Sequence, residues 1–192
     1  MVQVLSAHSG YLAGHLLVAM PGMTDPRFER SVIYMCVHNE DGAMGLILNQ
    51  LIDTITFNEL LEQLDIPASD PSNEIKVHFG GPVEAGRGFV LHSCDYKKDG
   101  TVVMEDGVGL TATVDVLRDI SRGEGPLNKV LALGYAGWGP GQLDAEIQEN
   151  AWLHCSASGD ILFDPDLYTK WDRAMTMIGI DPSLLSGEAG HA

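Results

Sequence analysis

Short runs of apolar and β-branched residues dominate the first half of the chain. Gly14 to Met20 (GHLLVAM) and Ser31 to Asn39 (SVIYMCVHN) predict strands, and Ala43 to Gln50 (AMGLILNQ) predicts a third. Asp41-Gly42 between the last two runs is a hairpin signal. Met44 to Leu48 is almost continuously apolar, so that strand should be covered on both faces. The period then changes. Thr56 and Glu59 stand at capping-box spacing ahead of Phe57, Leu60, Leu61 and Leu64, which recur at i, i+3, i+4 and i+7 and predict a helix. A second helix is predicted over Val114 to Ser121, with Val114, Leu117 and Ile120 inward. A third starts near Pro140, with Leu143 and Ile147 four apart. A fourth takes Asp164 as N-cap and Pro165 as its first residue, carries Leu167, Trp171, Ala174, Met175 and Ile178 as its stripe, and stops at Gly179. Further strands are predicted at EIKVHFGG, GFVLHS, TVVME, LTAT, KVLALGYAG, AWLHCSA and DILF. Strands that are numerous and often adjacent, with helices inserted irregularly, make the fold class α+β rather than a regular βαβ series.

Two glycine-rich corners interrupt this pattern. LGYAGWGPGQLDAEIQENAW (Leu133 to Trp152) joins a strand to a helix through four glycines. Neither G-x-x-x-x-G-K-[ST] nor G-x-G-x-x-G occurs in it, and the helix after Pro140 carries Asp144, Glu146 and Glu149 with no base. Acids at a helix start suit its dipole and compete with a bound phosphate. A structural corner is therefore the leading reading, with Trp138 and Trp152 as packing anchors, and a ligand cradle is the alternative. GGPVEAGRGFVLH (Gly80 to His92) is the second corner. Its Arg87 has the chemistry to hold a carboxylate ligand bidentately; pairing with an Asp or Glu of the chain itself is the plainer expectation.

Cys and His fall close together three times: Cys36 with His38, His92 with Cys94, and His154 with Cys155. At i, i+2 on a strand both side chains share a face, which would supply zinc ligands if strands converged. No C-x-x-C or H-E-x-x-H accompanies them, so they are read as structural, with no metal and no cofactor expected. G-x-S-x-G is also missing, and Ser31, Thr111 and Thr113 read as ordinary strand or cap residues.

Composition bounds the partners. A chain of 192 residues with 45% hydrophobic content can bury one sizeable core, so a single domain over 1–192 is expected, with loosely held ends at 1–13 and 183–192. The chain has no 18-residue apolar run and no charged start before its first apolar stretch, which predicts neither a membrane span nor a signal peptide. Three scattered cysteines point to reduced thiols in a cytoplasm. Net charge is −16, and each quarter of the chain is acidic. No basic stripe is present to neutralise phosphates, so direct nucleic-acid binding and anionic membrane surfaces are disfavoured.

Three ordered blocks, DPRFERSVIYMCVHNEDGAMGLILN, GGPVEAGRGFVLH and LGYAGWGPGQLDAEIQENAW, resemble the YqgE/AlgH family of bacterial proteins, and the likeness runs from about Gly14 to the terminal GEAGHA. The resemblance implies a single cytosolic α+β domain in which a coiled, bifurcated, mainly antiparallel sheet is wrapped by helices. It implies no agreed activity or cofactor; some members carry the label of transcriptional regulator. Positions matching the family include Arg30, His38, Asn39, Gly45, Asn49, Gly80, Gly81, Pro82, Gly88, His92, Gly134, Tyr135, Trp138, Gln142, Glu146, Asn150 and Trp152. The family follows its asparagine with a basic residue and proline. Here Asn49-Gln50-Leu51 removes that cation. Cys94, His154 and Cys155 do not resemble family features. Together these readings predict a binding or regulatory module that acts through a small molecule or a protein partner; the alternative is a hydrolase-like enzyme acting on a small molecule. The candidate ligand or partner residues are Arg30, His38, Asn39, Asn49, Gly80, Gly81, Pro82, Arg87, Tyr135, Trp138 and Gln142.

Overall fold

The computed structural model describes the backbone of Gln3–Leu5 and residues 11–185. Ten strands occur among these residues: β1 (Gln3–Leu5), β2 (His15–Ala19), β3 (Val32–Asn39), β4 (Gly42–Ile47), β5 (Val77–Phe79), β6 (Val83–His92), β7 (Thr101–Met104), β8 (Gly109–Thr111), β9 (Lys129–Trp138) and β10 (Trp152–Ser156). Five helices accompany them: α1 (Phe57–Gln63), α2 (Val114–Ser121), α3 (Gln142–Gln148), α4 (Gly159–Leu162) and α5 (Lys170–Ile178). The strands form one curled half-barrel in the order β1-β7-β8-β6-β9-β4-β3-β2-β10, with β5 added to β9. Pairing is antiparallel except for β1 with β7 and β5 with β9. The expected α+β single domain is this sheet with its helices. The expectation of loose ends falls mostly on residues outside those described; within them, Gln3–Leu5 is a strand and Pro182–Leu185 a 3-10 turn.

The sheet bifurcates on β9. Leu131 to Leu133 lie between β5 and β6, whereas Ala136 to Trp138 pair with β4. The change happens at Gly134, in the left-handed region at φ 73°, where β9 crosses the Gly80-Gly81 corner. A Cβ on Gly81 would stand 2.0 Å from the Tyr135 carbonyl carbon, and one on Gly134 would stand 2.3 Å from the Gly81 oxygen. Only glycine lets two backbones approach this closely.

Three apolar layers result. The inside of the half-barrel holds Leu16, Tyr34, Leu46, Leu91 and Val130, closed by Ile161 of α4 and by Trp171 and Met175 of α5. On the outer face, α1 and α2 lay Phe57, Leu61, Val116 and Ile120 against Val90 and Leu131. A third cluster sets Leu143 of α3 and both Trp138 and Trp152 against Ile33, Met35 and Ile47. Each such large side chain, fully buried, contributes about 1.5–3 kcal/mol. The capping box forms as expected: Thr56 Oγ1 accepts from the Glu59 N–H at 3.2 Å, and Glu59 Oε2 accepts from the Thr56 N–H at 2.7 Å.

The structure corrects several local readings. The hairpin turn is centred on Glu40-Asp41, since Asn39 pairs directly with Gly42. DILF is helical, forming α4 rather than a strand. The last helix begins at Lys170, not after Asp164. Asp164 accepts from the Asp166 N–H at 2.7 Å and Asp166 accepts from the Thr169 hydroxyl at 2.6 Å, so the acids build consecutive turns instead of a cap. Leu167 therefore lies outside the helix. Lys170 is 1% exposed; its ammonium donates to the carbonyls of Ile161, Leu162 and Asp164 and closes α4. In α2 the inward residues are Val116, Leu117 and Ile120, while Val114 is exposed.

Candidate functional site

The sequence-predicted site residues separate into four places. Arg30 and Asn49 form a clip against α5. The Arg30 guanidinium stacks over Trp171 at 4.2 Å and pairs with Asp172 at 3.1 Å. Asn49 accepts from the Val32 N–H and donates to the Arg30 carbonyl, which holds Arg30 at its positive φ of 51°. Gly80, Gly81 and Pro82 make the chain crossing described above, where close backbone approach explains the glycines.

Trp138 and Gln142 belong to a closed hub centred on Glu146. Glu146 Oε2 accepts from both indole N–H groups, Trp138 and Trp152, at 2.8 Å each, and Oε1 accepts from the Gln142 amide at 2.9 Å. Gln142 in turn accepts from the Gly139 N–H. The two indoles meet edge to face at 5.9 Å and are 7% and 3% exposed. Glu146 of α3 thus serves the corner itself, tying the helix to both indoles. The hub supports the structural reading of the corner, while Tyr135, Gly137 and Trp138 of the same segment also line an open trough.

His38 is buried behind the same corner. Its Nδ1 accepts from the Leu12 N–H at 3.1 Å, which places the ring proton on Nε2, 3.4 Å from the Asp144 carboxylate. Cys36 and His38 do not share a face. A bulge shifts the β3·β4 register between Met35 and Val37, so Cys36 and Val37 both turn to the inside of the half-barrel and His38 turns outward. Burial, with the Asp106 charge nearby, pushes the Cys36 thiol up to about 12, so it stays protonated and inert. Cys94 lies beyond the end of β6 and is exposed. Among the described residues no three His, Cys, Asp or Glu side chains gather as metal ligands.

His92 is engaged elsewhere. Its Nε2 lies 2.8 Å from Thr111 Oγ1 and its Nδ1 lies 2.8 Å from the Ser93 carbonyl, while burial lowers its pKa. A hydroxyl beside an oriented imidazole has the outline of an activated nucleophile. Here Thr111 is 1% exposed and also hydrogen-bonds Thr101, so the relay is a saturated internal network.

The remaining candidates, Asn39, Arg87 and Tyr135, meet in one open trough of about 520 Å3 at a mouth of the half-barrel. Trp138 also lines it. The floor is apolar, from Val37, Met44, Val83 and Phe89, of which Met44 belongs to the run expected to be covered on both faces. Val37, Met44 and Val83 are half-buried and Phe89 is buried beneath them, and the opening follows from two irregularities of the sheet, the bulge in β3 and a longer one in β6. Between the pairs Val83↔Tyr135 and Gly88↔Leu133, the segment Glu84–Arg87 leaves the ladder, and Glu84 takes a positive φ of 46°. Arg87 lies over the Phe89 ring at 5.1 Å and reaches Glu84 at 3.4 Å, with both side chains about half exposed. A hydrogen bond to Glu84 pushes the Tyr135 phenol upward. An exposed pair of this kind contributes less than about 1 kcal/mol, so Arg87 can exchange Glu84 for another carboxylate at small cost. The trough therefore offers an aromatic and aliphatic floor, a phenol, the Asn39 amide, one guanidinium and the exposed Asp41 carboxylate.

Similarity to known proteins agrees with the fold. A UPF0301 protein of Rhodospirillum rubrum is 51% identical over 192 residues, the whole of both chains. A UPF0301 protein of Rhodopseudomonas palustris is 56% identical over 190 residues, covering 95% of this chain and 87% of that one. The solution structure of the AlgH protein from Pseudomonas aeruginosa superposes with a TM-score of 0.78 at 41% identity, over 98% of this chain and 100% of that one. A Corynebacterium diphtheriae protein shares the fold at a TM-score of 0.70 and 20% identity, over 97% and 95% of the two chains. No helix among the described residues is long and apolar enough to cross a membrane. A family model described as AlgH-like matches residues 16–183, and on these grounds the chain belongs to the AlgH-like family.

Proposed function

We propose that this protein is a cytoplasmic binding module whose ligand is an amphipathic small molecule bearing a carboxylate, taken up in the trough at the mouth of the half-barrel. One observation carries the reading: Arg87, the single cation in the trough's lining, stands over an aromatic floor and is held only by an exposed carboxylate. Ligand sites favour such concave, mainly apolar places with a few polar groups to fix orientation, and the mouths of β-barrels are a common setting. Regulation would follow from the ligand, or from a protein partner that reads the ligand-bound mouth, rather than from contact with DNA.

The test is a thermal-shift screen of a metabolite library, repeated on Arg87→Ala and Tyr135→Ala. A ligand at 100 times its Kd stabilises by about 2.7 kcal/mol, which for a chain of this size raises Tm by about 5–10 °C. Shifts produced by carboxylates and lost in both variants are expected. Shifts that persist unchanged in both would remove the trough from the reading.

A further inference from the structure

On the opposite face of the β6·β9 pair lies a second, more enclosed cavity of about 160 Å3, roofed by α1 and α2. Its walls are Leu60, Leu64, Val90, Val116, Leu117 and Leu133. No Lys, Arg, Asp or Glu lines it. Thr111 is the buried polar residue in the wall, and its hydroxyl is already committed to His92 and Thr101. Thr113, the other hydroxyl in the lining, is exposed at the mouth, so the inner side-chain wall is hydrocarbon apart from Thr111.

Two glycines complete the wall, Gly86 and Gly88, and neither is required by the backbone. Gly81 and Gly134 have positive φ and backbone atoms at 2.0–2.3 Å from a virtual Cβ. Gly86 and Gly88 lie outside the left-handed region. A Cβ on Gly86 meets nothing within 4 Å, and one on Gly88 meets only Leu133 Cδ2 at 3.7 Å, an ordinary contact. Glycine inside a strand costs about 0.5–1 kcal/mol relative to alanine. Where neither dihedral nor close packing asks for glycine, the remaining physical use is the space left beside it, as at sites where a ligand comes close to a strand. Gly88 and Val90, two apart on β6, face the same way, so a side chain at 88 would project into the void.

We infer that this cavity is a binding site for a small hydrocarbon group, a phenyl ring or a branched alkyl end of a small molecule, separate from the trough. The size sets the limit: an engineered apolar cavity of about 150 Å3 holds one benzene. The absence of charged groups from the lining excludes an ionised group from its interior, so any polar head of the ligand stays at the mouth, beside the exposed Val114 and Thr113.

The experiment uses the full chain with labelled Ile, Leu and Val methyl groups, titrated with benzene and followed by two-dimensional NMR. Saturable shifts confined to the methyls of Leu60, Leu64, Val90, Val116, Leu117 and Leu133 are expected. Gly88→Val should abolish them and raise Tm by filling the void. If Gly88→Val does not fold, Gly88→Ala, whose one added methyl sits at ordinary contact distance, should weaken benzene affinity at least threefold. Shifts that do not saturate, that scatter over the surface, or that are the same in the glycine variants would overturn the site. Arg87→Ala should leave the benzene response unchanged, so the result does not depend on the trough.

Discussion

Glu146 is the most informative residue to remove. Its carboxylate is the shared acceptor for two nearly buried indole N–H groups and one amide, all at 2.8–2.9 Å. Glu146→Ala leaves two indole donors without a protein partner. A hydrogen bond to a charged group contributes about 1.5–3 kcal/mol, and a buried donor left unsatisfied costs about 1–3 kcal/mol. Glu146 itself is only half buried, so water replaces part of what is lost, and the expected cost is about 2–3 kcal/mol in total. Glu146→Gln keeps an oxygen for the indoles and loses charge assistance, for about 1 kcal/mol. Urea unfolding followed by tryptophan fluorescence reads both variants. With a slope of about 2 kcal/mol/M, the midpoint should fall by about 1–1.5 M for the alanine and about 0.5 M for the glutamine. If the alanine variant unfolds within 0.2 M of the parent protein, the hub does not hold the corner together, and the glycine corner must be reconsidered as a ligand cradle.

His78 should govern the first phase of acid destabilisation. Burial is the main cause lowering its pKa to about 4, and its Nδ1–H donates to the Leu131 carbonyl in the neutral form. The unfolded chain binds the proton first, so this stability is present above about pH 6.5 and is lost as pH falls toward 4, by up to about 3 kcal/mol. His78→Asn should flatten that limb of the stability curve; an unchanged slope would contradict the assignment. The glycines should divide sharply by circular dichroism melting: Gly81→Ala is expected to cost about 3 kcal/mol or more, and Gly137→Ala, whose Cβ meets the side chains of Tyr135 at 3.4 Å and Val83 at 3.7 Å, less than about 1 kcal/mol. Binding to random and genomic DNA duplexes should be weaker than micromolar near physiological salt. Tight binding with a steep salt dependence would show that folding gathers the 11 basic residues onto one face.

Sequence reading succeeded where local rules act alone. The Thr56/Glu59 box, the span of α2 and the stop at Gly179 each depend on a few neighbouring residues. It failed where one residue had two uses. Asp164-Pro165 reads as a helix start, but two aspartates four and six residues ahead of Lys170 compete as turn formers. Val114 fits a helical stripe, but the sheet lies under the neighbouring Val116. The site was legible only in its polar members. Arg87 stood out for a charge that is scarce in this chain, and Asn39 and Tyr135 only as positions matching the family pattern. Val37, Met44 and Val83 did not, because two bulges leave half-buried what strict alternation would bury. The same bulge defeats the expected Cys36/His38 face. Glu146 matched the family pattern yet looked like dipole complement, since nothing in the sequence shows that Trp138 and Trp152 aim at one oxygen.

The branching of the sheet on β9 has a consequence for how the chain is made. β9 starts at residue 129, yet it supplies the central ladder both for β4, which ends at residue 47, and for β5 and β6. During synthesis, β2, β3 and β4 can pair among themselves as hairpins. The inner edge of β4 and the β9-facing edge of β6 must wait until about two thirds of the chain has emerged. Loop closure over such separations comes late and slows folding. Until then, the nearly continuous apolar run from Met44 to Leu48 stands on an open strand edge, the kind of surface that aggregates or engages chaperones. Once β9 has docked, neither half of the half-barrel can open without it, so the native state should lose its two halves in one cooperative step.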